Sequence, residues 1–226
     1  MEIRVAPEAT AAADEAAAWL ARRLRDAVRR RGVATLAASG GGTPVAMYAE
    51  LAQLDLPWAH VHVWQVDERV APDGDPARNA GMVAALPLPK SHIHLMPVTA
   101  RHLQAACGRY AKSLPQQFDV VHLGLGDDGH TASWPPGDPV IDRPEPVAAS
   151  ALYNGFVRMT LTPPVVNAAR SRLVLIAGAS KAAPVRKWLL GDTAVPVQRV
   201  RRTGTVVVLD AAAAAGLPTP AAHPSR

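Results

Sequence analysis

A chain of 226 residues with 49% hydrophobic and 19% charged side chains is long enough for one large domain and apolar enough to bury a core, which excludes a disordered protein. The formal charge is +5, but the densest basic cluster (Arg22, Arg23, Arg25, Arg29, Arg30 and Arg31) has no interleaved aromatics and reads as a solvated helix face, not a nucleic-acid surface. One cysteine, Cys107, excludes an intramolecular disulfide and fits a reducing cytoplasm, while acids near the N-terminus and the lack of an apolar run of about 18 residues indicate neither export nor a membrane span.

In chain order, Trp19, Leu20, Leu24, Ala27 and Val28 make one apolar stripe and predict a helix over 7–31. The period then changes: 33–38 reads as a short buried strand, 39–43 as a loop, and 44–54 as a helix with proline in its first turn. A second strand is expected at 61–66, a helix at 77–86, a short strand at 93–96, a helix at 100–113 and the most strand-like run at 118–125. After a proline-rich loop come a strand at 157–161, a short helix at 164–169, a strand at 173–177, a helix at 180–190 and a last strand at 205–209. This alternation predicts an α/β fold, a doubly wound and mostly parallel sheet flanked by helices, as a single domain over 1–226. The proline- and alanine-rich tail, 217–226, is expected to be flexible.

In such sheets ligands bind at the carboxyl ends of the strands, and four segments bring polar groups there. Ser39, Gly40, Gly41, Gly42 and Thr43 lie between a strand and a helix, where glycines let backbone amides approach an anion and the helix N-terminus favours negative charge. A tight turn that needs glycine only for its dihedrals is the plainer reading, and the missing lysine argues against a P-loop ATPase. Asp67 and Arg69 close the second strand as a base or hydroxyl holder and a ligand for substrate oxygens, or as a structural ion pair.

Gly124, Gly126 and Gly129 form a G-x-G-x-x-G, but Asp127 and Asp128 would repel a pyrophosphate, and Pro135 and Pro136 limit a following helix, so a dinucleotide is not expected. Acid-base chemistry suits the loop better: His130 takes a proton near neutral pH and Asp128 orients its ring. Arg158 and Lys181, at the edges of predicted elements, offer positive charge to a phosphate or are ordinary surface residues. His60, His62, His92 and His94 have strand spacing but no third ligand in view, so they are taken as packing or rim histidines and no metal is expected. There is no G-x-S-x-G elbow and Cys107 falls mid-helix, which leaves water as the nucleophile.

Together these segments resemble the 6-phosphogluconolactonase family, within the superfamily that also holds glucosamine-6-phosphate isomerase/deaminase. The resemblance spans most of the chain: SGGGTP (39–44), WQVDERV (64–70), Asn79-Ala80-Gly81-Met82, IHLMPV (93–98), LGLGDDGHTAS (123–133), RMTLT with Asn167-Ala168-Ala169, and GASK (178–181). It implies hydrolysis of a sugar-6-phosphate lactone in the oxidative pentose phosphate pathway, with no metal, organic cofactor, membrane, nucleic acid or obligate protein partner. His130 would activate water, Asp128 orient it and Arg69 contact substrate, while Ser39, Gly41, Gly42, Thr43, Arg158 and Lys181 hold the phosphate.

Departures fall at Trp134-Pro135, at Ala80 and at ALYNGF before Arg158, and they bear on the pocket rim. The isomerase/deaminase alternative wants a tyrosine where Arg69 stands and an acid soon after the histidine, where this loop has none before Asp138. A sugar-phosphate binder without catalysis is the third reading.

Overall fold

The computed structural model describes residues 1–217, so of the expected flexible tail only Leu217 falls inside it. Seven strands form the central sheet: β1 (Glu2–Ala6), β2 (Ala34–Ala38), β3 (Val61–Gln65), β5 (Ile93–His94), β6 (Val120–Leu123), β9 (Ser171–Ile176) and β10 (Thr205–Asp210). All pairings in it are parallel, in the order β1-β10-β9-β6-β2-β3-β5. The helices are α1 (Ala9–Arg31), α2 (Pro44–Gln53), α3 (Ala80–Ala84), α4 (Leu103–Ser113), α5 (Pro163–Ala168) and α6 (Ala182–Leu189).

In the inner strands apolar side chains go to both faces, as a sheet covered on both sides requires. Leu36, Val63, Val120, Leu173, Val206 and Val208 share a core with α1 and α2, whereas Ala37, Val121, Leu123, Val174, Ile176, Val207 and Leu209 share the opposite core with α4 and α6. In α1 the alanine-rich stripe buries Trp19, Leu20 and Leu24 and leaves the six arginines exposed. Its end is set by Gly32, left-handed at φ 75°, whose N–H returns to the Val28 carbonyl. Truncating Leu20, which is fully buried, would cost about 2–5 kcal/mol.

Strands β4 (Asp67–Arg69), β8 (Arg158–Leu161) and β7 (Val147–Ala149) make a second, antiparallel sheet in the order β4-β8-β7. Val66 joins the two sheets, its N–H donating to Ala38 of β2 and its carbonyl accepting from Leu161 of β8. Asp67 and Arg69 therefore do not close the second strand, as the sequence suggests; one residue of bend puts them on a strand of their own. The run expected as a parallel strand at 157–161 likewise belongs to this small sheet. Strand β1 was not expected at all, because its short Ile3/Val5 alternation merges into the helical stretch that follows.

Helix 77–86 shrinks to α3 because the Glu68 carboxylate captures the N–H groups of Asn79 and Ala80, while Ala77 donates to Asp75. Strand 93–96 stops after His94, and Met96 donates its N–H to the Gln65 side chain.

Candidate active site

Counting outward along the sheet, β2 is flanked by β3 on one side and β6 on the other. That is where the winding direction reverses, and there the loops after adjacent strands diverge and leave a cleft. The cleft, about 190 Å³, is lined by Ser39, Gly40, Gly41, Gly42, Thr43, Asp67, Arg69, Asn79, Gly126, His130, Thr131, Arg158 and Lys181, among others. Every residue expected from the sequence to meet substrate lines it, while Asp128 stands behind His130.

The loop after β2 runs into the first turn of α2, with Pro44 at its start. Gly41 is left-handed, at φ 109°. Among the described residues the amides of Gly41, Gly42 and Thr43 donate no hydrogen bond, which is the open donor set an anion needs at a helix start. Gly40 is required for another reason: a Cβ there would come within 2.0 Å of Asn79 Oδ1.

Asn79, which the sequence reading used only as a landmark, lines the cleft and ties Asp67 to Arg69. Its side chain donates to the Asp67 carbonyl at 3.0 Å and accepts from the Arg69 guanidinium. Asp67 is 5% exposed, and its Oδ2 accepts from Ser133 Oγ at 2.5 Å. Strand pairing sets Arg69 directly opposite Arg158. Neither guanidinium forms a salt bridge among the described residues, and Arg158, 6% exposed, has a buried Nε with no partner. Burial first, and then the Arg69 charge, push Arg158 below its ordinary pKa. Two like charges at facing positions repel, and the Asp67 and Asp128 carboxylates nearby only partly offset them, so an anion between the two guanidiniums would be favoured.

The loop after β6 is drawn tight by Gly126 N–H to His130 O (2.8 Å) and Thr131 Oγ1 to Gly124 O (2.8 Å). Asp128 Oδ1 accepts from the His130 backbone N–H at 3.1 Å and lies 2.6 Å from His130 Nδ1. Burial works against the charged form of Asp128, but hydrogen bonds from Tyr153 and His130 outweigh it and hold the carboxyl below its usual range. An ionised carboxylate only accepts, so Nδ1 carries the proton and Nε2 keeps its lone pair. The ring lies against Gly126, where a Cβ would meet Nδ1 at 2.0 Å.

Lys181, at the end of the 3-10 turn Ala179–Lys181, pairs with Asp127 at 2.6 Å. Its hydrogen bond, followed by one from Ser180, holds Asp127 below the usual carboxylate range.

Tyr153 is the residue that sequence reasoning missed. It donates to Asp128 Oδ2 at 2.5 Å from a hairpin tip between β7 and β8. Its signal was Asn154-Gly155, the dipeptide that two-residue hairpins favour.

The strand-spaced histidines lie elsewhere, at the β3–β5 edge. His62 stacks on His92 at 3.8 Å and Trp64 on His94 at 3.9 Å, the packing role expected for them. No group of three histidine, cysteine or acidic side chains is placed to hold a metal ion among the described residues.

The profile of the family described as glucosamine-6-phosphate isomerases/6-phosphogluconolactonase matches residues 7–208. A 6-phosphogluconolactonase from Nostoc is 32% identical over 95% of this chain and 98% of its own. The crystal structure of a 6-phosphogluconolactonase from Shewanella baltica superposes with a TM-score of 0.84 at 25% identity, covering 93% of this chain and 98% of that one. A monomeric glucosamine-6-phosphate deaminase shares the fold, with a TM-score of 0.81 at 22% identity over 95% of this chain and 99% of its own.

Proposed function

The chain belongs to the family of glucosamine-6-phosphate isomerases and 6-phosphogluconolactonases, and from that premise we propose that it hydrolyses 6-phospho-D-glucono-1,5-lactone with His130 as the base. The observation that carries the proposal is one cleft in which open loop amides and uncompensated guanidiniums face a histidine whose Nδ1 is committed to Asp128. The phosphate is held by the amides and hydroxyls of Ser39–Thr43 with Arg158 and Lys181, remote from the reacting carbon, so binding energy is used for positioning.

His130 Nε2 then takes a proton from water as the oxygen bonds to the lactone carbonyl carbon. Arg69 faces the developing oxyanion. Collapse breaks the bond from that carbon to the ring oxygen, and the imidazolium returns the proton to the departing oxygen, giving 6-phosphogluconate. Asp67, held by Ser133 and Asn79, serves as a fixed acceptor for a sugar hydroxyl. A cytoplasmic setting suits this substrate and the buried thiol of Cys107.

The fold alone does not separate lactonase from deaminase. The loop separates them better: Asp138, the first acid after His130, is spent on the N–H groups of Val140 and Ala151, which leaves no free carboxylate following the histidine on this loop to shuttle protons in an amine-releasing reaction.

The test is the decay of freshly generated lactone with and without protein, counting only the excess over spontaneous opening. A clear excess supports the reading. None from folded protein, with ammonia released from glucosamine-6-phosphate, replaces it with the deaminase; binding of 6-phosphogluconate with neither activity leaves a sugar-phosphate binder.

A further inference from the structure

We propose that Tyr153 is a positioning residue of this reaction: its hydroxyl fixes the Asp128 carboxylate behind His130 while its ring supports the Arg158 guanidinium. The proposal rests on the lactonase reading above and assigns a role to a side chain in the ALYNGF segment, where the chain departs from its family's pattern.

The hairpin explains how the side chain gets there. Asn154 and Gly155 both take positive φ, 47° and 81°, and Tyr153 and Phe156 exchange backbone hydrogen bonds across them at 2.9 and 3.2 Å. That is the geometry of a two-residue turn twisted to match its strands. Three residues before Tyr153, Ser150 N–H donates to the Arg158 carbonyl, which ties the tip in register with β8.

Tyr153 is thereby held over the loop after β6. Asp128 Oδ1 serves the two His130 N–H groups, and Oδ2 accepts from the Tyr153 hydroxyl at 2.5 Å. With donors on both oxygens the carboxylate has one orientation about its Cβ–Cγ bond. Asp128 is 36% exposed on its side chain, so without the phenol Oδ2 would face water and the group would turn. Burial, and then the hydrogen bond to Asp128, push the Tyr153 hydroxyl up to about 12, so it stays a donor.

The same phenol ring stands edge-on to His130, at 5.4 Å and 73°, and the Arg158 guanidinium carbon sits 5.2 Å from its centroid. A cation over an aromatic face is favourable, most of all where the site is desolvated. Base and anion ligand, which come from different sheets, thus share one support.

Two variants separate the two contacts. Tyr153→Phe keeps the ring and should lower kcat about tenfold with KM within about twofold, because a misaligned base costs turnover and not binding. Tyr153→Leu should lower kcat as much and also raise KM and the 6-phosphogluconate Kd, about tenfold, as Arg158 loses its ring. In substrate-free protein, 15N NMR of His130 should find the Nδ1–H tautomer dominant in the native chain and a mixture of tautomers in Tyr153→Phe.

Native kcat and an unchanged tautomer in Tyr153→Phe would overturn the proposal. So would equal losses in every parameter that track lowered thermal stability, the sign of a merely structural residue. The NMR arm needs no substrate, so it reports on Tyr153 even if the native protein fails to accelerate lactone opening, the result that would sink the lactonase reading itself.

Discussion

His130 offers Nε2 to the cleft only because Asp128 claims Nδ1 and Gly126 leaves room for the ring. His130→Ala should therefore lower kcat by about 10²–10⁴-fold while 6-phosphogluconate, held mainly through its phosphate, binds as before by calorimetry; near-native turnover would remove the base. Gly126→Ala adds a methyl where the imidazole now lies, and the ring must turn aside. The expected loss is about hundredfold in kcat, with far-UV circular dichroism unchanged, and a fully active Gly126→Ala protein would mean that the ring position is not the one that catalyses. Both residues were legible in the sequence: histidine beside acids in a glycine loop names its own chemistry. Tyr153 was not, because an aromatic in a loop becomes informative only once the Asn154-Gly155 turn is seen to aim it at Asp128.

The segments proposed to hold the substrate act as elements. The turn Ala179–Lys181 holds one cation beside Asp127 at the edge of the cleft, so Lys181→Ala should raise KM about tenfold or more with kcat little changed, the size of one charge-assisted hydrogen bond. An unchanged KM would take Lys181 out of the phosphate site. Most elements could be read from apolar periodicity, since β2, β6, β9 and β10 are buried runs and α1 has a long stripe. What could not be read is the small antiparallel sheet. Its three strands have three or four residues each, too short for a period to show, and the bend at Val66 that separates β3 from β4 is fixed by hydrogen bonds to Ala38 and Leu161, far away in sequence. The start of α3 was illegible for a similar reason, because it is delayed to Ala80 by the buried Glu68 carboxylate, which is distant from it in sequence.

Over the whole molecule, acid sensitivity follows from one buried ring. His122 of β6 is fully buried beneath α2, with Nδ1 on the Tyr48 hydroxyl and no partner for Nε2 among the described residues, and burial pushes it down to about 3. An unfolded chain protonates this histidine below about 6.5, so between those values the unfolded state holds more protons. Stability therefore falls as the pH drops through that window, by up to about 1.4 kcal/mol per pH unit. Burial, reinforced by their neighbours in the histidine stack, lowers His62 and His94 in the same sense. Urea midpoints measured from pH 4 to 6.5 should rise steeply in the native chain and less steeply in His122→Gln; parallel slopes would assign the acid sensitivity to other groups. The sheet order has a different consequence, for the protein while it is being made. Strand β1 touches no strand but β10, and Ile3 finds its partner in Val207. At about 5–20 residues per second a ribosome takes roughly ten to forty seconds to cover that distance. Throughout that interval β1 has no strand to pair with, and the alanine stripe of α1 is sheltered from chaperones and from other emerging copies by α2 and by the strands made before β10, first β2 and later β6 and β9.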